Sequence, residues 1–193
     1  MGLTVDLATG RAAFEDSVHA FVAAVDGLDE WALLGASRCH GWTRLDVLVH
    51  VLAGWQEMLG GLVSPVQAVP TVDAASYWPV FDAEYDDDPV DVLMSQRRRT
   101  AAYARPDSAR GQLRDVADAV LRGAETCPDR RLRWQGHVFT AGDFLTIWAV
   151  EDVIHQLDLL AEEPAPPSGL ALARATVEEL GGGTLADRVP SAP

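Results

Sequence analysis

Glu151 and His155 stand one helical turn apart, so a carboxylate and an imidazole can meet a single ion. A third ligand has to come from another element. His50, set between Val49 and Val51 on a stripe with Asp46 and Glu57, supplies one. Two imidazoles and one carboxylate leave coordination positions open, which is the catalytic rather than the structural pattern for zinc and suits other divalent metals too. Spacing alone leaves a second reading standing. In it Glu151 and His155 are a plain pair on a solvated face, worth roughly a few tenths of a kcal/mol, and His50 is an ordinary helix residue.

Other residues surround this trio with weaker claims. Arg97, Arg98 and Arg99 form a basic run that either holds an anionic substrate or thiol cofactor or lies on a solvated helix face, and Arg97 is the candidate contact. Trp148 precedes Glu151 by a turn and is placed to wall a pocket; His137, in the connector leading into the same helix, is placed to line its mouth. Glu57 and Asp158 are candidate proton acceptors. Cys39 reads either as a nucleophile or as a buried structural thiol, and Cys127, before Pro128, has no assigned role. Trp42, Trp55 and Trp134 read as core anchors. The run Asp86-Asp87-Asp88 lacks the spacing of a calcium loop and serves the next helix as a cap. His19 and His40 have no partner ligand that the sequence places.

Positioning these residues requires helices. The first runs from about Leu7 to Val25, with Phe14, Val18, Phe21, Val22 and Val25 at steps of three and four. Thr43, with Asp46 three residues on, opens the second as a capping box; its apolar face includes Leu48, Leu52, Trp55 and Leu59, and Gly60-Gly61 weakens its end. Residues 63–88, with Pro65, Pro70 and Pro79, form a connection too long for antiparallel neighbours, which suits helices two and three running the same way. Asp88-Pro89 starts the third helical stretch, which breaks near Pro106 and resumes from Asp107 to about Ala124. Gly136 to Thr140 is a short, partly extended connector, and no segment alternates convincingly at the period of a strand. The fourth helix spans Thr140 to about Ala161. A proline-rich run at 164–169 ends it, and a short amphipathic segment, Leu170 to Leu180, precedes Gly181-Gly182-Gly183. The expected fold is all-α, a four-helix bundle over 1–163 with a long crossover, followed over 164–193 by a linker, a short helix and a tail.

A formal charge of −14 argues against nucleic acid and against an anionic membrane surface, since both demand basic faces. No run approaches the roughly 18 uninterrupted apolar residues of a membrane span, and the N-terminus lacks the form of a signal peptide. A cytoplasmic protein is the expectation. All fifteen basic residues are arginines, which reads as GC-rich coding. Two cysteines are too few for a disulfide framework.

Two blocks carry a resemblance. Cys39-His40-Gly41-Trp42-Thr43, leading into the helix that bears His50, and Glu151-Asp152-Val153-Ile154-His155-Gln156-Leu157-Asp158 together resemble the mycothiol-dependent maleylpyruvate isomerase family of DinB-like bundles. The likeness spans about residues 7 to 162. It implies that His50, Glu151 and His155 bind a divalent metal, zinc by preference, with Asp158 supporting them or packing the helix. It also implies mycothiol as cosubstrate. The family carries a further C-terminal domain, whereas about thirty residues follow helix four here, so the metal-and-thiol part is expected without it. The expected protein is a thiol S-transferase or isomerase acting on a small electrophile, with pairing into a homodimer a further expectation. A hydrolase using metal-activated water and a non-enzymatic metal- or ligand-binding bundle are the alternatives.

Overall fold

Most of the long helices begin where a side chain can close the first turn. In the computed structural model, which describes residues 2–84, 88–183 and 185–190, Asp6 caps α1 (Leu7–Asp26), and Thr43 and Asp46 form the full capping box of α3 (Arg44–Leu62). Between them lies one turn, α2 (Glu30–Leu33). Asp88 caps α5 (Pro89–Thr100), while Asp86 and Asp87 lie outside the described residues. Proline at the first position opens α6 (Pro106–Thr126) and α8 (Pro167–Leu180). Thr140, with Asp143 three residues on, caps α7 (Ala141–Asp158).

The architecture is all-α, with α1, α3, α6 and α7 as the four bundle helices. Helix α7 packs most extensively on α1, and α3 on α6; α8 lies against α1 and α7, and α5 against α3. The core gathers Phe14, Phe21, Leu48, Leu52, Trp55, Leu113, Phe139 and Phe144, all fully enclosed. Helix α7 is buried on nearly every side, which places it at the centre of the bundle. No helix among the described residues is long and apolar enough to cross a membrane.

Three features depart from the sequence pattern. Residues 131–140 form an antiparallel hairpin, β1 (Arg131–Trp134) and β2 (His137–Thr140), where the sequence pattern suggests only a partly extended connector over 136–140. Its four-residue strands are too short to show alternation, and its turn, Gln135-Gly136, has positive φ at both positions (47° and 78°), as a tight hairpin turn needs. The long connection contains a helix, α4 (Tyr77–Glu84), and is strapped to the hairpin: Val66 N donates to the Arg131 carbonyl and Thr71 N to that of Val138. Finally, α7 stops at Asp158, because Leu160 takes a left-handed conformation (φ 52°).

Close approach at the N-terminal end of α7 depends on glycine. A Cβ on Gly142 would stand 2.1 Å from the Val5 carbonyl oxygen, where the N-terminal segment crosses and Val5 N donates to Asp143 (2.8 Å). Gly111, on the exposed face of α6, has nothing within 4 Å. Gly142→Ala should therefore cost about 1–3 kcal/mol of stability, whereas Gly111→Ala should add about 0.5–1 kcal/mol. Urea unfolding of both variants checks the opposite signs.

Candidate metal centre

Capping fixes both helices that carry the candidate ligands. At the start of α3, Thr43 N donates to Asp46 (2.8 Å), and the same carboxylate accepts the Thr100 hydroxyl (2.6 Å), which ties α5 to α3. One turn further on, His50 faces α7. Its Nε2 lies 3.5 Å from Glu151 Oε1, which is 3.0 Å from His155 Nε2. The imidazole rings stand 4.7 Å apart at 66°, and the three ligand atoms all lie within 4.8 Å of one another. Trp42 packs on the outer side of His50, with ring centres 5.3 Å apart.

The electrostatics of this trio favour a positive charge. Burial alone pushes Glu151 up, but the charge of His155 and hydrogen bonds from both imidazoles hold it well below the usual range. Burial pushes His155 down, yet Glu151 and then Asp158 and Cys39 raise it well above an ordinary histidine. His50 is lowered, chiefly by burial, with the charge of His155 adding to the effect. An ionised carboxylate between two imidazole nitrogens is a donor set that suits a divalent cation, which would take the proton's place as the positive partner.

Asp158 sets the orientation of His155 from behind. Its side chain is 2% exposed, and its Oδ2 lies 3.1 Å from His155 Nδ1, leaving Nε2 to face Glu151. Burial raises the Asp158 pKa, but His155 and Arg188 hold it well below the usual carboxylate range. Arg38 Nε donates at 2.8 Å, Arg188 at 2.5 Å and the Cys39 thiol at 3.1 Å. Cys39, His155 and Asp158 form a second group of potential ligands within 4.8 Å of one another. Two guanidiniums on that carboxylate already neutralise it, so this cluster is a structural knot rather than a cation site. Cys39 is accordingly the half-buried thiol of that knot.

A cavity with an inner volume of about 120 Å³ opens beside the trio, with His50 and Glu151 at its polar side. Its apolar wall comes from Tyr77, Trp78 and Phe81 of α4, Trp134 of the hairpin, and Trp148. Of the residues singled out from sequence beyond His50 and Glu151, Glu57, Trp134 and Trp148 line this cavity. Arg97 does not; it is exposed and donates weakly to the Gly41 carbonyl (3.4 Å), and Arg99 takes the place on the wall. His137 pairs with Glu84 (3.1 Å) and is not among the lining residues. Asp152 was missed: it lines the cavity, accepts from Trp55 Nε1 (2.9 Å), and burial pushes its pKa well above the usual range. The aromatic cluster of α4 was missed as well, inside what read as a connection; its signal is the run Tyr77-Trp78-Pro79-Val80-Phe81, in which nothing points towards His50. Arg38 and Arg188 carried no signal, since their partner lies more than a hundred residues from the first and thirty from the second.

Fold and site together define a DinB-like helical bundle with His, Glu and His converging from two of its helices. Residues 14–160 match the mycothiol maleylpyruvate isomerase N-terminal domain, and the chain belongs to that family. A crystal structure of the mycothiol-dependent maleylpyruvate isomerase shares the fold, with TM-score 0.65 and 15% identity, over 93% of this chain and 74% of that one. A histidine-to-alanine mutant of that enzyme superposes with TM-score 0.63 at the same identity and coverage. No curated protein matches the sequence.

The Asp158 knot predicts coupled energetics. Removing either arginine leaves the other to neutralise the carboxylate, so Arg38→Ala and Arg188→Ala should each cost only about 1 kcal/mol, given their partial exposure. Together they should exceed their sum by about 0.5–3 kcal/mol, because the buried charge then loses both partners. A double-mutant cycle by urea unfolding measures this; strict additivity contradicts it.

Proposed function

We propose that this chain is a metal-dependent enzyme that delivers mycothiol, or a closely similar low-molecular-weight thiol, to a small electrophile, with thiol transfer or isomerisation as the outcome. The observation that carries this is the convergence of His50, Glu151 and His155 beside an aromatic cavity. Family membership supplies the thiol, through the name of the domain matched. His50, Glu151 and His155 would hold a divalent cation, zinc by this donor set, which when bound would supply the Lewis acidity that favours a thiolate at neutral pH.

The chain's own residues then have separate tasks. His50, Glu151 and His155 hold the ion and move no proton. Asp158 keeps His155 in the tautomer that offers Nε2, and it is committed to Arg38, Arg188 and Cys39 as well, so its role is positioning. Glu57 is exposed on the cavity wall and is the carboxylate available to accept the thiol proton. Trp134 and Trp148, with ring centres 5.1 Å apart, exclude water from the substrate's apolar body.

Protein purified without chelator or tag-derived metal should contain close to one equivalent of zinc or another divalent ion by mass spectrometry, and His155→Ala should lose it. Arg188→Ala should keep its helical spectrum yet bind the ion about tenfold more weakly. Adding mycothiol to the cobalt-substituted protein should produce a sulfur-to-cobalt charge-transfer band. A parent protein that neither holds nor takes up a divalent ion ends the proposal. Metal without any thiol response replaces it with a hydrolase in which water is the nucleophile.

A further inference from the structure

Helix α5 is held to the bundle along one side only. Gln96 is its one buried side chain and donates to the Asp46 carbonyl (2.8 Å); Thr100 bonds the Asp46 carboxylate, and Leu93 packs beside Gly41. These three residues recur at steps of three and four, which marks a single face. The outward face carries Val90, Asp91, Met94, Arg97 and Arg98, all exposed, Val90 at 64% and Met94 at 44%. A helix of 12 residues is marginal without packing, and two large apolar side chains left in water do not help it. Asp91 in the first turn and Arg97 and Arg98 in the last suit the helix dipole, but the dipole does not explain the apolar residues set among them. Neither Asp91 nor Arg98 has an ion-pair partner among the described residues, whereas Arg38, Arg105, Arg110, Arg114 and Arg188 all do.

We propose that this face pairs with the same face of a second copy of the chain, the two α5 helices lying antiparallel about a twofold axis at Met94. Residues seven apart fall on nearly the same edge of a helix, so Asp91 and Arg98 share one edge of the stripe and Val90 and Arg97 the other. Reversing a copy about Met94 brings each Asp91 level with the Arg98 of the other copy, to within about 1.5 Å along the axis. Each Val90 then meets the aliphatic stem of the other copy's Arg97, and Met94 meets Met94. A parallel arrangement sets aspartate on aspartate and arginine on arginine. A wholly acidic partner meets Asp91 and a wholly basic one meets Arg97 and Arg98; a copy of the same face avoids both conflicts. The like net charge of two copies, −14 each, opposes pairing at long range, and physiological salt screens it beyond about 8 Å. Arg99, which lines the cavity, is not part of the stripe, so the inference stands independently of the metal-and-thiol reading.

One short helix pair buries less than a standard interface of about 1,600 Å², so the dimer should be weak, with a Kd of about 10–100 µM. Sedimentation equilibrium of the full chain from about 10 µM to about 1 mM, in ~0.15 M salt, measures it. Asp91→Arg sets arginine against arginine and Arg98→Asp sets aspartate against aspartate, so each variant alone should pair at least about tenfold more weakly, with its helical spectrum unchanged. An equimolar mixture of the two should recover a dimer within about threefold of the parent, because each copy then supplies the charge that the other lacks. Met94→Ser should weaken the parent dimer at least about threefold. Trp31→Ser, at an exposed apolar residue outside α5, should leave it unchanged. A parent that stays monomeric at the highest concentration overturns the proposal. So does a dimer untouched by both charge reversals, which assigns pairing to another face, or a mixture no tighter than either variant alone.

Discussion

A carboxylate removed from water has to be neutralised and hydrogen-bonded, or the fold around it does not form. Asp158 is such a group, and three separate parts of the chain are brought together to satisfy it. Arg38 and Cys39 come from the turn before α3, His155 from the preceding turn of α7, and Arg188 from the segment after α8. The backbone joins in, since Arg38 N donates to the Asp158 carbonyl and an Arg38 guanidinium nitrogen to that of Arg188. One buried charge therefore fixes where the Cys39–Thr43 turn meets the end of α7. With that junction set, α3 and α7 run past each other at a spacing that lets His50 reach Glu151.

The position of α7 at the centre of the bundle explains why its polar side chains are so fully committed. Asp143 accepts Val5 N and the Thr140 hydroxyl, Asp152 accepts Trp55 Nε1, and Gln156 donates to the carbonyls of Glu163 and Pro164. Each bond draws a neighbouring element onto α7 and makes its own orientation costly to change. Glu151 is the partial exception. It stays more than a quarter exposed, and its ion-pair partners among the described residues are the imidazoles of His50 and His155.

Aromatic packing supplies the other half of the site. Tyr77 stacks at about 5.5–5.8 Å against Trp78, Phe81, Trp134 and Phe139, which welds α4 to the hairpin. Trp134 in turn meets Phe144 and Trp148 of α7. The hairpin and the strapped connection thus convert what looked like linker into the apolar wall of a cavity whose polar side holds His50 and Glu151.

Much of this was legible in the sequence. Steps of three and four along Phe14, Val18, Phe21 and along Leu48, Leu52, Trp55 determined helices, the threonine–aspartate pairs at 43 and 140 determined where two of them start, and the Glu151/His155 spacing put two candidate ligands on one face. These are local properties, written into a few consecutive residues by helical geometry. The hairpin was not legible, since four-residue strands carry too little pattern, nor was the choice of Arg99 over Arg97 at the cavity, which depends on how α5 is rotated against α3. Tertiary structure alone decided that Asp158 is a knot, that Arg188 reaches back to it, and that α4 faces His50. Each of these joins residues far apart in the chain, and only the packing of the whole bundle sets such distances.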